Sequence, residues 1–291
     1  MNFIDLHSDY PLKITGNNTS DAAVDLSNNI FENYVQTLAV FIDDCDLKPR
    51  KTYESTMSAL KQHLANYKIS PFAQTNNKEY LLSLENGSFL AQDPDYIKNL
   101  KSDGICMISL SWNKQNPLAG GSHSKSGLTE LGKHCIKLMN REGIALDISH
   151  LNMTSALQAV KISNKVLASH SNCAGVFNHP RNLTDEVLLE IKRSNGIIGL
   201  CFYPEFLGCE PFDGIKRNID YLVKMGMKKN IAIGSDFDGA KMSENLKSLH
   251  DVPTLYDYLR HSGIKSDLLN DIFYSNAIAF FSGMCKNNTQ V

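Results

Sequence analysis

The 291-residue chain is 42% hydrophobic, enough to bury a full core as one large α/β domain or two small ones. A net charge of −2, with lysines and arginines scattered singly or in pairs, gives no basic stripe for nucleic acid, and no apolar run approaches the roughly 18 residues of a membrane span. The N-terminus has no basic-then-apolar leader, and the seven cysteines are odd in number without a C-x-x-C pair. The expectation is a cytoplasmic protein with small buried thiols, working on small molecules rather than on nucleic acid or membranes.

Short apolar runs alternate with amphipathic stretches along the whole chain, as βα units do. Strands are expected over 2–6, 35–42, 80–84, 105–111, 144–148, 166–169, 196–202 and 231–234. Asp93-Pro94-Asp95 opens a helix over 96–101, and 128–141 carries Leu128, Leu131, Cys135, Leu138 and Met139 near helical spacing. Thr184-Asp185-Glu186 opens a helix over 187–194, and Ser266-Asp267 opens the last one, through Phe281, while Glu142-Gly143 and Asn195-Gly196 supply stops. Residues 113–127, with Gly120-Gly121 and three serines, read as a long loop after a strand.

Eight such units in this length, without a glycine-rich phosphate loop, point to α/β architecture of the (β/α)8 TIM-barrel type, one domain over residues 1–291. Asn-x-Thr triplets at Asn182 and Asn287 carry no weight without a secretion signal.

The residues suited to chemistry stand where strands stop. His7-Ser8-Asp9 follows the first strand, and two side chains one residue apart on an extended end point the same way and can share one ion. Ser149-His150 and Ser169-His170 end two successive strands 20 residues apart, so both imidazoles reach the same height on a barrel. The competing reading makes these serine-flanked histidines helix caps. Glu85, in Leu84-Glu85-Asn86-Gly87, is placed as a carboxylate bridging two ions, against a loop role near Asp93. In Gly234-Ser235-Asp236-Phe237-Asp238-Gly239, Asp236 is nearer the strand and is the candidate base, while Asp238 is free to cap a turn.

His7-Ser8-Asp9, Leu84-Glu85-Asn86-Gly87, Gly127 to Gly132, Met139 to Gly143, Asp147-Ile148-Ser149-His150, Ser169-His170-Ser171, Arg181 to Glu186 and Ser235 to Gly239, in this order, resemble the membrane dipeptidase (renal dipeptidase) family of zinc peptidases. The likeness runs from Met1 to about Gly239 and weakens beyond.

The resemblance implies a metal-dependent hydrolase barrel with two zinc ions, other divalent transition metals being compatible with the same donors. His7 and Asp9 would hold the first ion, His150 and His170 the second, with Glu85 bridging and Asp236 as acid and base. It also gives Arg181 the substrate's carboxylate, against a surface ion pair with Asp185 or Glu186.

Ser111-Trp112-Asn113 departs from the Thr-His word of many members, so Trp112 and Asn113 become candidate substrate contacts, with a plain core role as the alternative for the tryptophan. The implied reaction is hydrolysis of a dipeptide. A lactone, β-lactam or acyl-amino acid hydrolase, and a non-catalytic metal-binding barrel, are the alternatives, and a homodimer is an open question.

Overall fold

The computed structural model describes residues 1–27, 30–72 and 77–285. Its strands are β1 (Phe3–Asp5), β2 (Tyr34–Phe41), β3 (Ser70–Pro71), β4 (Lys78–Glu85), β5 (Ile105–Ser109), β6 (Ala145–Asp147), β7 (Val166–Ser171), β8 (Ile197–Leu200) and β9 (Ile231–Ile233). All nine pair in parallel, in the order β2-β1-β9-β8-β7-β6-β5-β4-β3. Strand β4 then pairs back on β2, from Tyr34 opposite Lys78 to Phe41 opposite Glu85, which closes the sheet into a (β/α)8 barrel.

Each expected strand is present, mostly shorter at its C-terminal end because the chain leaves the ladder to build loops there. The run at 105–111, for example, is strand only to Ser109. Strand β3 was not foreseen. Two residues paired with Glu79 and Tyr80 carry no readable alternation.

One inward side chain from each of the eight barrel strands (Ile4, Val35, Leu81, Met107, Ala145, Leu167, Ile197 and Ala232) forms the barrel interior. Ala277, Phe280 and Phe281 of the C-terminal helix belong to the same cluster and plug it. Apolar area is thereby removed from water on both faces of every strand, which is why the strands read as near-continuous apolar runs.

The helices start and stop on local chemistry. Helix Glu130–Glu142 begins where the Thr129 hydroxyl accepts the Gly132 N–H and ends at Gly143 with φ of 66°, a left-handed stop that glycine adopts without a Cβ penalty. Helix Asp185–Arg193 has Asp185 and Glu186 in its first turn and Lys192 and Arg193 in its last, matching its dipole. The segment expected as a helix over 96–101 opens instead as a 3-10 turn, Pro94–Tyr96, before Ile97–Ser102. The last expected helix is three pieces, Ser266–Asn270, a π-turn Asp271–Ser275 and Asn276–Cys285. Asn276 ties it to the barrel, its amide donating to the Lys228 and Ile231 carbonyls.

No helix among the described residues is long and apolar enough to cross a membrane. Asn182 is buried and its amide donates to the Phe177 and Phe206 carbonyls, so it is no glycan acceptor, and the triplet at Asn287 lies outside the described residues. Cys135, Cys173 and Cys201 are buried as expected, Cys106 and Cys209 are partly buried, and Cys45 is exposed.

Candidate metal centre

The C-terminal ends of the strands gather the site. His7 and Asp9 follow β1, Glu85 ends β4, His150 follows β6, His170 lies in β7 and Asp236 follows β9. All six are buried. His7 Nε2 lies 3.5 Å from Asp9 Oδ2, 3.6 Å from Glu85 Oε2 and 4.0 Å from Asp236 Oδ1. Glu85 Oε1 is 2.8 Å from His150 Nε2 and 3.9 Å from His170 Nε2. Two donor groups meet there, His7 with Glu85 and His170, and His7 with Asp9 and Asp236. Glu85 thus touches histidines from three strands with its two oxygens, the disposition expected of a bridging carboxylate.

Backbone strain aims these groups. His150 has φ of 69°, Asp236 67° and Asn86, beside Glu85, 67°. Left-handed backbone costs a non-glycine residue about 1–3 kcal/mol, and it concentrates where a site over-determines it. Gly239 explains a further restriction, because a Cβ there would come within 1.9 Å of Asp9 Oδ2.

The imidazole tautomers show what the cluster is built to hold. His150 Nδ1 donates to Asn113 Oδ1 at 3.0 Å, and His170 Nδ1 donates to Ser169 Oγ at 2.8 Å, a hydroxyl whose own proton goes to Asp147 Oδ2 at 2.5 Å. Both Nε2 atoms therefore present lone pairs, and they face each other 2.8 Å apart. Two lone pairs at that separation repel unless a cation lies against them. Burial, with the Arg181 and His7 charges, holds both imidazoles well below the ordinary histidine range, so neither supplies that cation by protonation.

His7 is different. Burial opposes its charge, yet the Glu85, Asp9 and Asp236 carboxylates outweigh burial and push it to about 10. Burial and the Asp9 charge raise Glu85 well above the carboxylate range, and burial raises Asp236 to about 6. Three carboxylates, Asp9, Glu85 and Asp236, crowd within 4.0 Å of the one His7 Nε2. His7 Nε2 and Asp9 Oδ1 are buried without hydrogen-bond partners. Imidazole nitrogens and carboxylate oxygens converging in this state fit divalent ions with N/O ligands.

Of these groups, Asp9, Glu85, His150 and Asp236 form the floor of a cavity of about 550 Å³ whose walls include Arg181, Trp112, Asn113, Phe41, His123, His179, Tyr203 and Phe206. Arg181 is buried, its Nη2 donating to the His170 carbonyl at 3.3 Å and its guanidinium 5.2 Å from the Phe206 ring. Its Nε has no partner, and the alternative ion pair is not formed, since Asp185 instead accepts the Tyr221 hydroxyl. Trp112 stands edge-on to Phe41 at 5.0 Å and lines the cavity rather than the core. Asn113 also lines it, but its carbonyl oxygen is engaged by His150 and by the Ser122 hydroxyl. Glu85 takes no part in capping near Asp93, which pairs with Arg50.

Several functional neighbours were not anticipated. Cys201 Sγ donates to Asp236 Oδ2 at 3.7 Å, and Asp238, expected to cap its own turn, accepts the Ala23 and Val24 N–H groups instead, 215 and 214 residues away in sequence. A lone cysteine in Leu200-Cys201-Phe202 and a carboxylate bonded to the neighbouring β1–β2 connection leave no local pattern.

The family model for membrane dipeptidases, peptidase family M19, matches residues 46–290. An uncharacterized dipeptidase of Schizosaccharomyces pombe is 28% identical over 214 residues, 70% of this chain and 52% of that protein. A dipeptidase of Clonostachys rogersoniana is 28% identical over 207 residues, 68% of this chain and 53% of that protein. The chain thus spans about half the length of these curated relatives. Among solved structures, a metallopeptidase of Rhodobacter sphaeroides, liganded with a phosphinate mimic of the dipeptide L-Ala-D-Ala, superposes with a TM-score of 0.82 at 21% identity over 98% of this chain and 99% of that one. A dipeptidase of family M19 superposes with a TM-score of 0.87 at 21% identity over 98% of both chains. With the family model covering most of the sequence, the chain belongs to the membrane dipeptidase family, peptidase family M19.

Proposed function

We propose that this protein is a zinc-dependent dipeptidase. His7 and Asp9 would hold one ion, His150 and His170 the other, and Glu85 both. Bound there, the ions would lower the pKa of a water molecule and polarise the scissile carbonyl.

The protein's own groups supply the rest. Asp236, with one oxygen on the Cys201 thiol and the other toward His7, is placed to take a proton from the attacking water and return it to the departing amine. Arg181 offers a planar, buried cation to the substrate's free carboxylate, and a chain extended at that end would leave the guanidinium without its partner. Trp112 and Asn113 stand in the wall as substrate contacts, Trp112 through its ring and Asn113 through the amide group left after its oxygen binds His150.

The observation that carries this reading is the common cavity: a buried guanidinium with an unpartnered Nε opens on the same space as the carboxylate and imidazole cluster. The Rhodobacter metallopeptidase with its dipeptide mimic supports the same substrate class. The test is a panel of dipeptides, with L- and D-residues at the C-terminal position, assayed beside acyl-amino acids. Dipeptide hydrolysis that a chelator removes and zinc restores is expected. Turnover of acyl-amino acids alone would overturn the assignment.

A further inference from the structure

Two seams of the barrel carry the same hydrogen-bond device. At the β6–β7 seam, Asp147 Oδ1 accepts the Ser149 and Ser169 N–H groups, each at 3.0 Å, and its Oδ2 accepts the Ser169 hydroxyl. At the β1–β9 seam, Asp5 Oδ1 accepts the His7 N–H at 3.2 Å and the Ser235 N–H at 2.8 Å, and its Oδ2 accepts the Ser235 hydroxyl at 2.6 Å. In both, a buried strand-end aspartate binds the N–H two residues on and grips a serine on the adjoining strand or just past its end. In both, that serine immediately precedes a site residue, His170 or Asp236.

The seams differ in their further contacts: Asp5 Oδ2 also accepts the Gln36 amide at 3.1 Å, and Ser169 Oγ lies 3.3 Å from Ser149 Oγ. Ser169 Oγ also meets His170 Nδ1 at 2.8 Å, whereas Ser235 Oγ meets backbone groups of His7 and Phe237. The backbone is built around Ser169: a Cβ on Gly199 or Gly234 would come within 1.9 or 1.7 Å of the Ser169 carbonyl, and the β7–β8 register shifts at this point.

We infer that Asp147 and Ser169 are positioning residues that fix His170 as a metal ligand, through a relay from carboxylate to hydroxyl to imidazole Nδ1. This rests on the proposed two-ion centre. A carboxylate only accepts, so the Ser169 proton is committed to Asp147, and the Ser169 oxygen takes the Nδ1 proton of His170. That leaves Nε2 bare toward Glu85 and His150. Hydrogen bonds of this kind orient metal-bound histidines and fix their tautomer.

Asp147→Asn reverses the relay. The asparagine oxygen is still needed by two backbone N–H groups, so its NH2 faces Ser169 and donates. The serine proton turns to His170 Nδ1, 2.8 Å away, in preference to the Ser149 oxygen at 3.3 Å, and the imidazole proton moves to Nε2, where an ion would bind. Ser169→Ala only releases the ring. The isosteric substitution is therefore the more damaging to metal binding, the reverse of what lost volume or lost stability predicts.

The experiment is zinc titration of the full chain against a competing chelator, with imidazole nitrogen NMR spectra before and after loading, and His170→Gln to assign the signal. The wild type is expected to show Nδ1–H on His170 and to load two ions. Asp147→Asn should show Nε2–H and bind the His150/His170 ion about 10- to 100-fold more weakly or worse. Ser169→Ala should fall between, and Ser235→Ala should leave the His170 signal in place. A wild type that takes up no zinc overturns the two-ion reading. Wild-type loading with an unchanged tautomer and zinc affinity in both Asp147→Asn and Ser169→Ala overturns the relay.

Discussion

Replacing Arg181 with methionine separates the recognition of a carboxylate from everything else the cavity does. Arg181 is 5% exposed, its guanidinium meets the His170 carbonyl and the Phe206 ring, and among the described residues it forms no direct ion pair, so a substrate carboxylate would be its first contacting counter-charge. Truncating one partner of a buried, hydrogen-bonded charge pair costs about 2–5 kcal/mol. The cavity is open to solvent on one side, which favours the lower half of that range, about 2–3.5 kcal/mol, or a loss of roughly 30- to 400-fold in kcat/KM.

The decisive assay compares a dipeptide with its C-terminal amide. In the wild type the acid should be preferred by about that factor, and in Arg181→Met the two substrates should become nearly equal. Stability should move the other way. Burial holds the guanidinium below its usual range, so removing it relieves a desolvation cost, and the melting temperature of the variant should be unchanged or higher. Equal losses on acid and amide, or a large fall in melting temperature, would show that Arg181 supports the structure rather than the substrate.

Asp236→Asn should lower kcat by about 10²- to 10⁴-fold with zinc stoichiometry retained, as measured by steady-state kinetics and elemental analysis. Gly239→Ala should weaken zinc binding at the His7/Asp9 position, since its Cβ would displace the Asp9 carboxylate, and chelator competition would detect it. The barrel plug gives a stability test: Phe280 and Phe281 are buried in the interior cluster, and either one changed to alanine should cost about 3–5 kcal/mol by denaturant unfolding. For zinc-free protein, His7 binds its proton more tightly when folded than when unfolded, so the folded state holds the extra proton as pH rises past 6.5. Stability should therefore fall between pH 6.5 and about 10, by at most about 5 kcal/mol, while zinc, which needs His7 deprotonated, should stabilise more as pH rises. Thermal melts with and without zinc across this range check both slopes.

What the sequence made legible follows from where the information is local. Strands buried on both faces read as short apolar runs, and a polar side chain directly after such a run inherits its place at the barrel rim, which is why the positions of His7, Asp9, Glu85, His150 and Asp236 could be read by number. Strand β3 escaped notice because two residues carry no period, and the π-turn at Asp271–Ser275 because its apolar spacing still reads as helical. The hydrogen bonds that orient the site were hidden for a different reason. Asp147, Ser169, Asn113 and Cys201 act through hydrogen bonds across seams and loops, 22 residues apart for Asp147 and Ser169 and 37 for Asn113 and His150. A residue's own neighbours in sequence state that it ends a strand; they do not state what stands one strand over. The place of a candidate ligand is thus written along the chain, while imidazole tautomer and carboxylate orientation are written across it, and only closure of the barrel makes the second kind readable. The same distinction explains why Asp147→Asn, conservative along the chain, is expected to be severe: the change is judged by the hydroxyl of Ser169 on the adjoining strand, whose proton has to turn when its acceptor becomes a donor.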